Sequence, residues 1–306
     1  MAATTYTGTT NLHIAASLNQ FLHFNLADIT DLRSTCSNKG TVNGSGSVAS
    51  KVSGVTFGDA MAAANADETT APTASSLVTT AATVTVARQV LRRDVTDLYS
   101  VAGSAVSMQM LADNMSDAAK MRFTDMVCSL FTSLSQVAGA SGATLTVDDI
   151  SDGAAALRLE GNPGIINAVL NPKQFNEFLD DLRSEGGSAQ WNPATEEMLA
   201  SSGNYGYKGT WRNIQFWSVD SVASDGTDYI GAMYTSECFA FMEGVPSEEV
   251  QAAATNSYIS VTPEGSPIFV EFERKAAEGH TLIVGNYYVG VSELEDLRGV
   301  RIRSID

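Results

Sequence analysis

The side chains that could do chemistry are few and scattered. Three histidines and three cysteines occur in 306 residues. His13, His23 and His280 have no second His or Cys at ligand spacing, and Cys36, Cys128 and Cys238 make no CxxC pair. Zinc sites and disulfide frameworks need such pairs, so neither is indicated. Cys128 reads as a small core residue. The run DDISDG at 148–153 starts like a calcium loop. Ile150 takes its third ligand position, however, and Leu159 its twelfth, with Glu160 one place late. It reads as the acidic start of a helix. Asp180 with Asp181, and Glu248 with Glu249, are adjacent, so on a helix they do not face each other. The motifs GxSxG, GxxxxGK[ST], HExxH and GxGxxG are absent. Trp191, Trp211 and Trp217 could line a pocket, giving a small-molecule hydrolase or binding protein with its site near Trp191 and Trp211; core packing is the simpler reading. The reading is therefore of a protein that is not an enzyme, with no catalytic residue, cofactor or metal.

Charge excludes more. Lys and Arg total 18 against 35 Asp and Glu, a net charge of −17. A dedicated nucleic-acid binder needs a basic footprint to neutralise phosphates, and this chain would repel DNA. A dense basic cluster is Arg88, Arg92 and Arg93, followed by Asp94 and Asp97. Two readings stay open: a solvated strand end of little energetic weight, or a salt-bridge patch between subunits. No apolar run approaches a membrane span, and the N-terminus lacks a basic start followed by an apolar run. A soluble protein made in the cytoplasm is expected.

The element that must position everything else lies at 104–138. It has no Gly or Pro inside, and Gly103 and Gly139 flank it. Met108, Leu111, Met115, Ala119, Phe123, Met126, Leu130, Leu134 and Val137 recur at steps of three and four, one stripe of a helix about 50 Å long. Gln109, Asp113, Ser116, Asp117, Lys120 and Thr124 oppose them. Val127 and Phe131 fall on that polar side, so the C-terminal end is apolar nearly all round. It is expected to be buried on two sides and to act as a spine.

Before it, 17–33 carries Leu18, Phe21, Leu22, Leu26, Ile29 and Leu32 at helical spacing. Residues 35–82 are mostly Gly, Ser, Thr, Ala and Asn and cannot bury enough surface to offset their ordering entropy. They are a disordered linker or an extended hairpin ordered on a neighbouring subunit. Strand patterns at 52–58 and 77–90, around the polar tip ADETTAPTASS, favour the hairpin. After the spine come a helix at 148–159, a buried strand at 165–170, and a helix capped by Asn171 with Pro172 at its first position. That helix carries Phe175, Phe178, Leu179 and Leu182 on one face. A loop-like stretch at 186–207 precedes strands at 211–219, 229–242, 257–262, 267–274, 281–291 and 299–304. The class is α+β with mostly antiparallel connections.

This order of elements, with the strand–Asn-Pro–helix unit VLNPKQ at 169–174, IVGNYYVGV at 283–291 and LRGVRI at 297–302, resembles the major capsid proteins of tailed bacteriophages, the Hong Kong 97-type fold, over 49–306. The resemblance implies an N-terminal arm at 1–48, an E-loop hairpin at 49–92, spine helix and peripheral domain at 93–145, an axial domain at 146–265, and return strands of the peripheral domain at 266–306. It implies pentamers and hexamers closing into an icosahedral shell around double-stranded DNA, held without sequence-specific binding. An encapsulin-like compartment is the alternative. The E-loop would lie over a neighbour, with Asp67 and Glu68 at its tip and Arg88, Arg92, Arg93 and Asp94 near its base as contact residues. Expected partners are further copies of the chain, a separate scaffolding protein and a portal, while the sequence leaves open whether a decoration protein is added. The expected location is the virion capsid, after assembly in the host bacterial cytoplasm. Only Lys51 lies at the hairpin base, so cross-linking through an E-loop lysine is not expected. The start at Met1, with no charged helical leader, is the reason for expecting separate scaffolding.

Overall fold

The computed structural model describes residues 30–43, 49–55, 79–96, 106–159, 164–184, 190–195, 199, 206–245, 259–261 and 268–306. The spine is α1, Val106–Ser129, about 36 Å long. Met115, Ala119, Phe123 and Val127 are buried along one stripe, as a 3.6-residue period requires. Asp117 and Lys120 pair at 4.0 Å on the wetter side.

The helix does not reach 138. Past Ser129 the chain makes a 3-10 turn, Phe131–Ser133, and then a strand, β5, Gln136–Ala138. The run SLFTSLS supplies the reason. Ser129, Thr132 and Ser133 hydroxyls donate to the carbonyls of Met126, Ser129 and Leu130 at 2.7, 3.2 and 2.6 Å, competing with helical N–H groups. Asp296 accepts from both the Ser135 N–H and its hydroxyl, which pulls the chain out. Val137, placed on the apolar stripe by periodicity, is exposed. Gly139 is special, but not as a helix stop: at φ +85° its missing side chain lets the backbone pass Arg303 O, which a Cβ would meet at 2.4 Å.

Two sheets flank α1. The first has the order β1 (Ser37–Asn43), β11 (Phe239–Val245), β14 (His280–Glu293), β13 (Ile268–Lys275), β12 (Ile259–Val261), with β4 (Ala87–Thr96) also on β14. The second runs β5, β15 (Gly299–Ile305), β10 (Asp228–Tyr234), β6 (Ile166–Leu170), β9 (Ile214–Ser218), β8 (Tyr207–Trp211), β7 (Trp191–Pro193). Among the described strands only β1–β11, β15–β5 and β6–β9 pair in parallel. β11, from within 146–265, lies in the first sheet, and β15, from within 266–306, in the second.

The C-terminal half of α1 and the turn after it are wedged between these sheets. Phe131 is fully buried, with its ring 5.8 Å from Tyr234 on β10 and 5.9 Å from Phe239 on β11, one contact per sheet. Val127 is fully buried and Cys128 nearly so, as their place on an all-round apolar helix end requires. Phe123 meets Phe241 edge-on at 5.2 Å. On the far face of the second sheet, α2 (Val147–Leu159) and α3 (Pro172–Ser184) cover Ile166, Ala168, Leu170, Phe216, Val300 and Ile302. Asn171 caps α3 reciprocally. Its Oδ1 accepts from Lys173 N at 2.9 Å, while its own N–H donates to Gln174 Oε1 at 3.1 Å. Trp211 and Trp217 are core residues, and Trp191 packs against Phe175 and Phe178.

Several sequence expectations are corrected. The run 211–219 is not one strand but the turn and second strand of the β8–β9 hairpin, because Arg212 and Asn213 adopt φ of +48° and +67°, the mirror-image turn that matches strand twist. The run 229–242 is two strands in different sheets, β10 and β11, broken at 235–238 where the chain passes the end of α1. β7 lies within the stretch read as loop, and β1 within the core-poor region. The helix at 17–33 falls almost wholly outside the described residues.

Phe131→Ala removes the contact common to both sheets and should cost about 3–5 kcal/mol. Asn171→Ala should cost about 1 kcal/mol. Urea unfolding of the isolated subunit checks the ranking.

Candidate assembly surface

A core-poor segment must lean on something, and the E-loop hairpin leans on the first sheet. β2 (Ala49–Val55) and β3 (Thr79–Thr85) pair antiparallel, Ala49 opposite Thr85 and Val55 opposite Thr79. This is the hairpin expected from the alternating pattern. Its tip at 56–78, with Asp67 and Glu68, lies outside the described residues. At the base, Val84 and Val86 are buried with Ala240, Met242 and Leu294. These residues alternate with Phe241 and Phe239, so the hairpin base sits on the sheet face opposite α1. Gly290 permits the approach: a Cβ there would meet Thr85 O at 2.3 Å.

β4 continues from the hairpin and pairs with β14 from Ala87–Val289 to Thr96–His280. Leu91 packs toward α1, and Gln89 accepts from Arg122 Nε at 3.1 Å. Arg88, Val90, Arg92 and Asp94 alternate onto the other face and are exposed. The basic cluster is not one patch. Arg88 is spent inside the subunit: its Nε and Nη2 donate to Oδ1 of the buried Asn286 at 2.7 and 2.5 Å. Arg92 lies 3.8 Å from Asp94, both about half exposed, and His280 Nε2 is 4.0 Å from Asp94 and 3.5 Å from Glu278. Arg93 is described by its backbone alone, opposite Ile283.

The residue that sequence reasoning missed is Arg33. It starts the 3-10 turn Arg33–Thr35, which lies against the wedge. Its Nη1 is 3.3 Å from Asp31, its Nη2 donates to Tyr287 Oη at 3.0 Å, and its Nε is 3.8 Å from Glu243. The guanidinium lies over the Phe123 and Tyr287 rings at 5.3 and 5.5 Å. Burial opposes its charge, but Asp31, then Tyr287 and Glu243, outweigh that and raise its pKa. Nearby, Thr124 Oγ1 donates to Thr30 O at 2.7 Å, and the Thr35 and Tyr234 hydroxyls share a bond of 2.8 Å. Asp31 is a local hint, but Phe123, Glu243 and Tyr287 are distant in sequence and carry no signal there. Further along the arm, Lys39 holds Glu237 at 2.9 Å, and Ser37 adds a bond at 3.3 Å.

The chemistry such a surface offers is contact. Burial pushes the Cys36 thiol up to about 12, and Cys128 and Cys238 up as well, which makes poor nucleophiles. Among the described residues no group of His, Cys, Asp or Glu is arranged to hold a metal. A cleft of about 370 Å³ lies beside the 235–237 turn, lined by Ser34, Ile165, Asn167, Gln215, Glu237 and Arg298 among others. No described helix is long and apolar enough to cross a membrane.

No family model matches the chain. No curated protein matches its sequence. Solved structures do match over nearly the whole length. The capsid of cyanophage P-SCSP1u is similar at TM-score 0.59 and 10% identity, covering 91% of this chain and 89% of that one. The capsid of Ralstonia phage GP4 is similar at 0.59 and 10%, covering 90% and 91%. The SrpI encapsulin complex from Synechococcus elongatus is similar at 0.58 and 13%, covering 89% and 85%. The chain has the Hong Kong 97-type α+β capsid fold, with E-loop hairpin and spine helix.

Two outcomes follow from the arm contacts. Arg33→Met removes the cation that Asp31, Tyr287 and Glu243 share and should cost about 3 kcal/mol or more, measured by urea unfolding. Glu237 has its pKa lowered, first by the Lys39 hydrogen bond. A carboxyl depressed on folding stabilises above its unfolded pKa and loses that increment as pH falls through the folded one. Lys39→Met should therefore cost at most about 1 kcal/mol at pH 7, because the pair is partly exposed. The difference from wild type should vanish well below about pH 4.

Proposed function

We propose that this chain is a shell protein, the major capsid protein of a tailed phage. Copies assemble as pentamers and hexamers into an icosahedral shell around double-stranded DNA. The observation that carries this reading is the whole-length likeness to capsid shells, about nine-tenths of each chain. The physical design agrees with it. A subunit rigid at its wedge carries a hairpin whose base rests on its own sheet and whose tip is too polar to form a core alone. A net charge of −17 suits a container that does not bind its contents to the wall. The work is self-association, with no reaction catalysed.

In this reading the arm is 1–48, the E-loop 49–92, the spine and peripheral segment 93–145, the axial segment 146–265 and the return segment 266–306. The E-loop tip, with Asp67 and Glu68, reaches a neighbouring copy, and Arg92, Arg93 and Asp94 border that contact. Arg88 contributes by fixing β4 to Asn286. A scaffolding protein, a portal and a decoration protein complete a virion capsid assembled in the host bacterial cytoplasm. The second reading is an encapsulin-like compartment, favoured by the likeness to the SrpI encapsulin. Contents distinguish the two: DNA inside particles supports the first, protein cargo without DNA the second.

The expressed protein should form closed particles by negative-stain electron microscopy. A sample that stays monomeric by sizing and makes no shell with its phage partners would refute the proposal. Deleting 59–75 should leave the subunit folded by circular dichroism and thermal melting but block stable shells. An unfolded deletion variant would instead assign the hairpin to the core. Arg92→Ala with Arg93→Ala should slow assembly more than it lowers Tm.

A further inference from the structure

β15 sets two arginines side by side. Val300, Ile302 and Ser304 are buried, while the alternate residues Arg301 and Arg303 lie half-buried on the other face. Two residues apart on one strand, they sit about 7 Å from each other. Arg301 has a local role: its Nη1 donates to Thr132 O at 3.2 Å, just past the negative end of α1. Arg303 donates no hydrogen bond and makes no ion pair among the described residues. Nε of each arginine is buried without a partner. Asp225 also feels the pair: its carboxylate pKa is lowered first by the Asp228 and Thr227 N–H groups and less by Arg303 and Arg301. Burial and the like charge of Arg303 lower the pKa of Arg301. Among the described residues neither arginine forms an ion pair with a carboxylate.

Its surroundings look outward. Val137 stands opposite Arg301 across the β5–β15 ladder, and Ile305 follows Arg303 on the same face. They are 44% and 38% exposed, two of the few large apolar side chains left in solvent. Two guanidiniums flanked by exposed aliphatic groups make a contact surface.

We infer that Val137, Arg301, Arg303 and Ile305 form a docking patch for a second copy of this chain, with an Asp or Glu carboxylate of that copy seated between the two guanidiniums. Charge complementarity selects the occupant. Each copy offers 35 acidic residues against 18 basic ones. A carboxylate matches the planar guanidinium fork, whereas a DNA duplex would have to approach a strongly acidic subunit. The inference rests on the shell reading only in requiring that copies meet.

Arg303→Lys places a carbodiimide-reactive amine at the patch without removing its charge. Mixed nitrogen-14 and nitrogen-15 copies of R303K, treated with a zero-length carbodiimide and digested, should yield inter-chain cross-links from position 303 to an acidic residue. Arg303→Gln should lower the association rate at low salt at least about tenfold, with Tm unchanged. Cross-links confined to Asp225 of the same chain, or none, would overturn the patch. So would a short DNA duplex that binds wild type and releases from R303Q. Microscopy of the same samples scores the shell reading separately. Particles without the inter-chain cross-link sink the patch alone, and the cross-link without particles sinks the shell alone.

Discussion

One aromatic side chain, Phe131, holds two sheets to a common helix end. It touches Tyr234 on one sheet and Phe239 on the other. A helix packed on one sheet buries one stripe, whereas this helix end buries Phe123, Thr124, Val127 and Cys128 and leaves only residues such as Asp125 and Ser129 in solvent. The consequences spread through the topology. β10 and β11 are consecutive in the chain yet belong to different sheets, because the turn between them passes the wedge. The arm closes over the same place, with Arg33 against Phe123 and Thr30 against Thr124. Close packing of this kind moves as a unit, since a gap of half an ångström already loses much of the dispersion attraction.

What does not join the wedge is built to be placed. The hairpin base is pinned by Val84 and Val86 over Gly290, while the sequence beyond it is too polar to form a core. A rigid body with a polar extension is a workable shape for a shell, in which stability comes from many repeated contacts. At net −17 such contacts must overcome repulsion between subunits, and salt limits that repulsion to a range of about 8–10 Å. In the shell proposed here, local pairing of opposite charges would set the register between copies.

The basic residues divide accordingly. Arg33 and Arg88 are consumed within the subunit, each by partners far away in the chain. Arg92 makes only an exposed pair with Asp94, which contributes little to stability. Arg303 has no ion pair among the described residues. Clustering in sequence was a poor guide to this division. Arg88 and Arg92 are near neighbours in one strand, yet only the first has a buried acceptor within reach.

Periodicity by itself determined the spine, its buried stripe and its doubly buried end, because the 3.6-residue repeat and the lack of a polar side at Val127 and Phe131 are local facts. It also determined the hairpin strands and the Asn171 cap, whose partners lie within a few residues or in a complementary pattern. Local hydroxyls in SLFTSLS loosen the end of the spine, and tertiary structure decided where the chain goes next, since Asp296 and pairing with β15 draw 135–138 into a strand. It decided that 229–242 divides between two sheets, because both halves are equally apolar and only the wedge separates them. It also decided the role of Arg33, whose distant partners are brought together only when the arm, the helix and the first sheet meet.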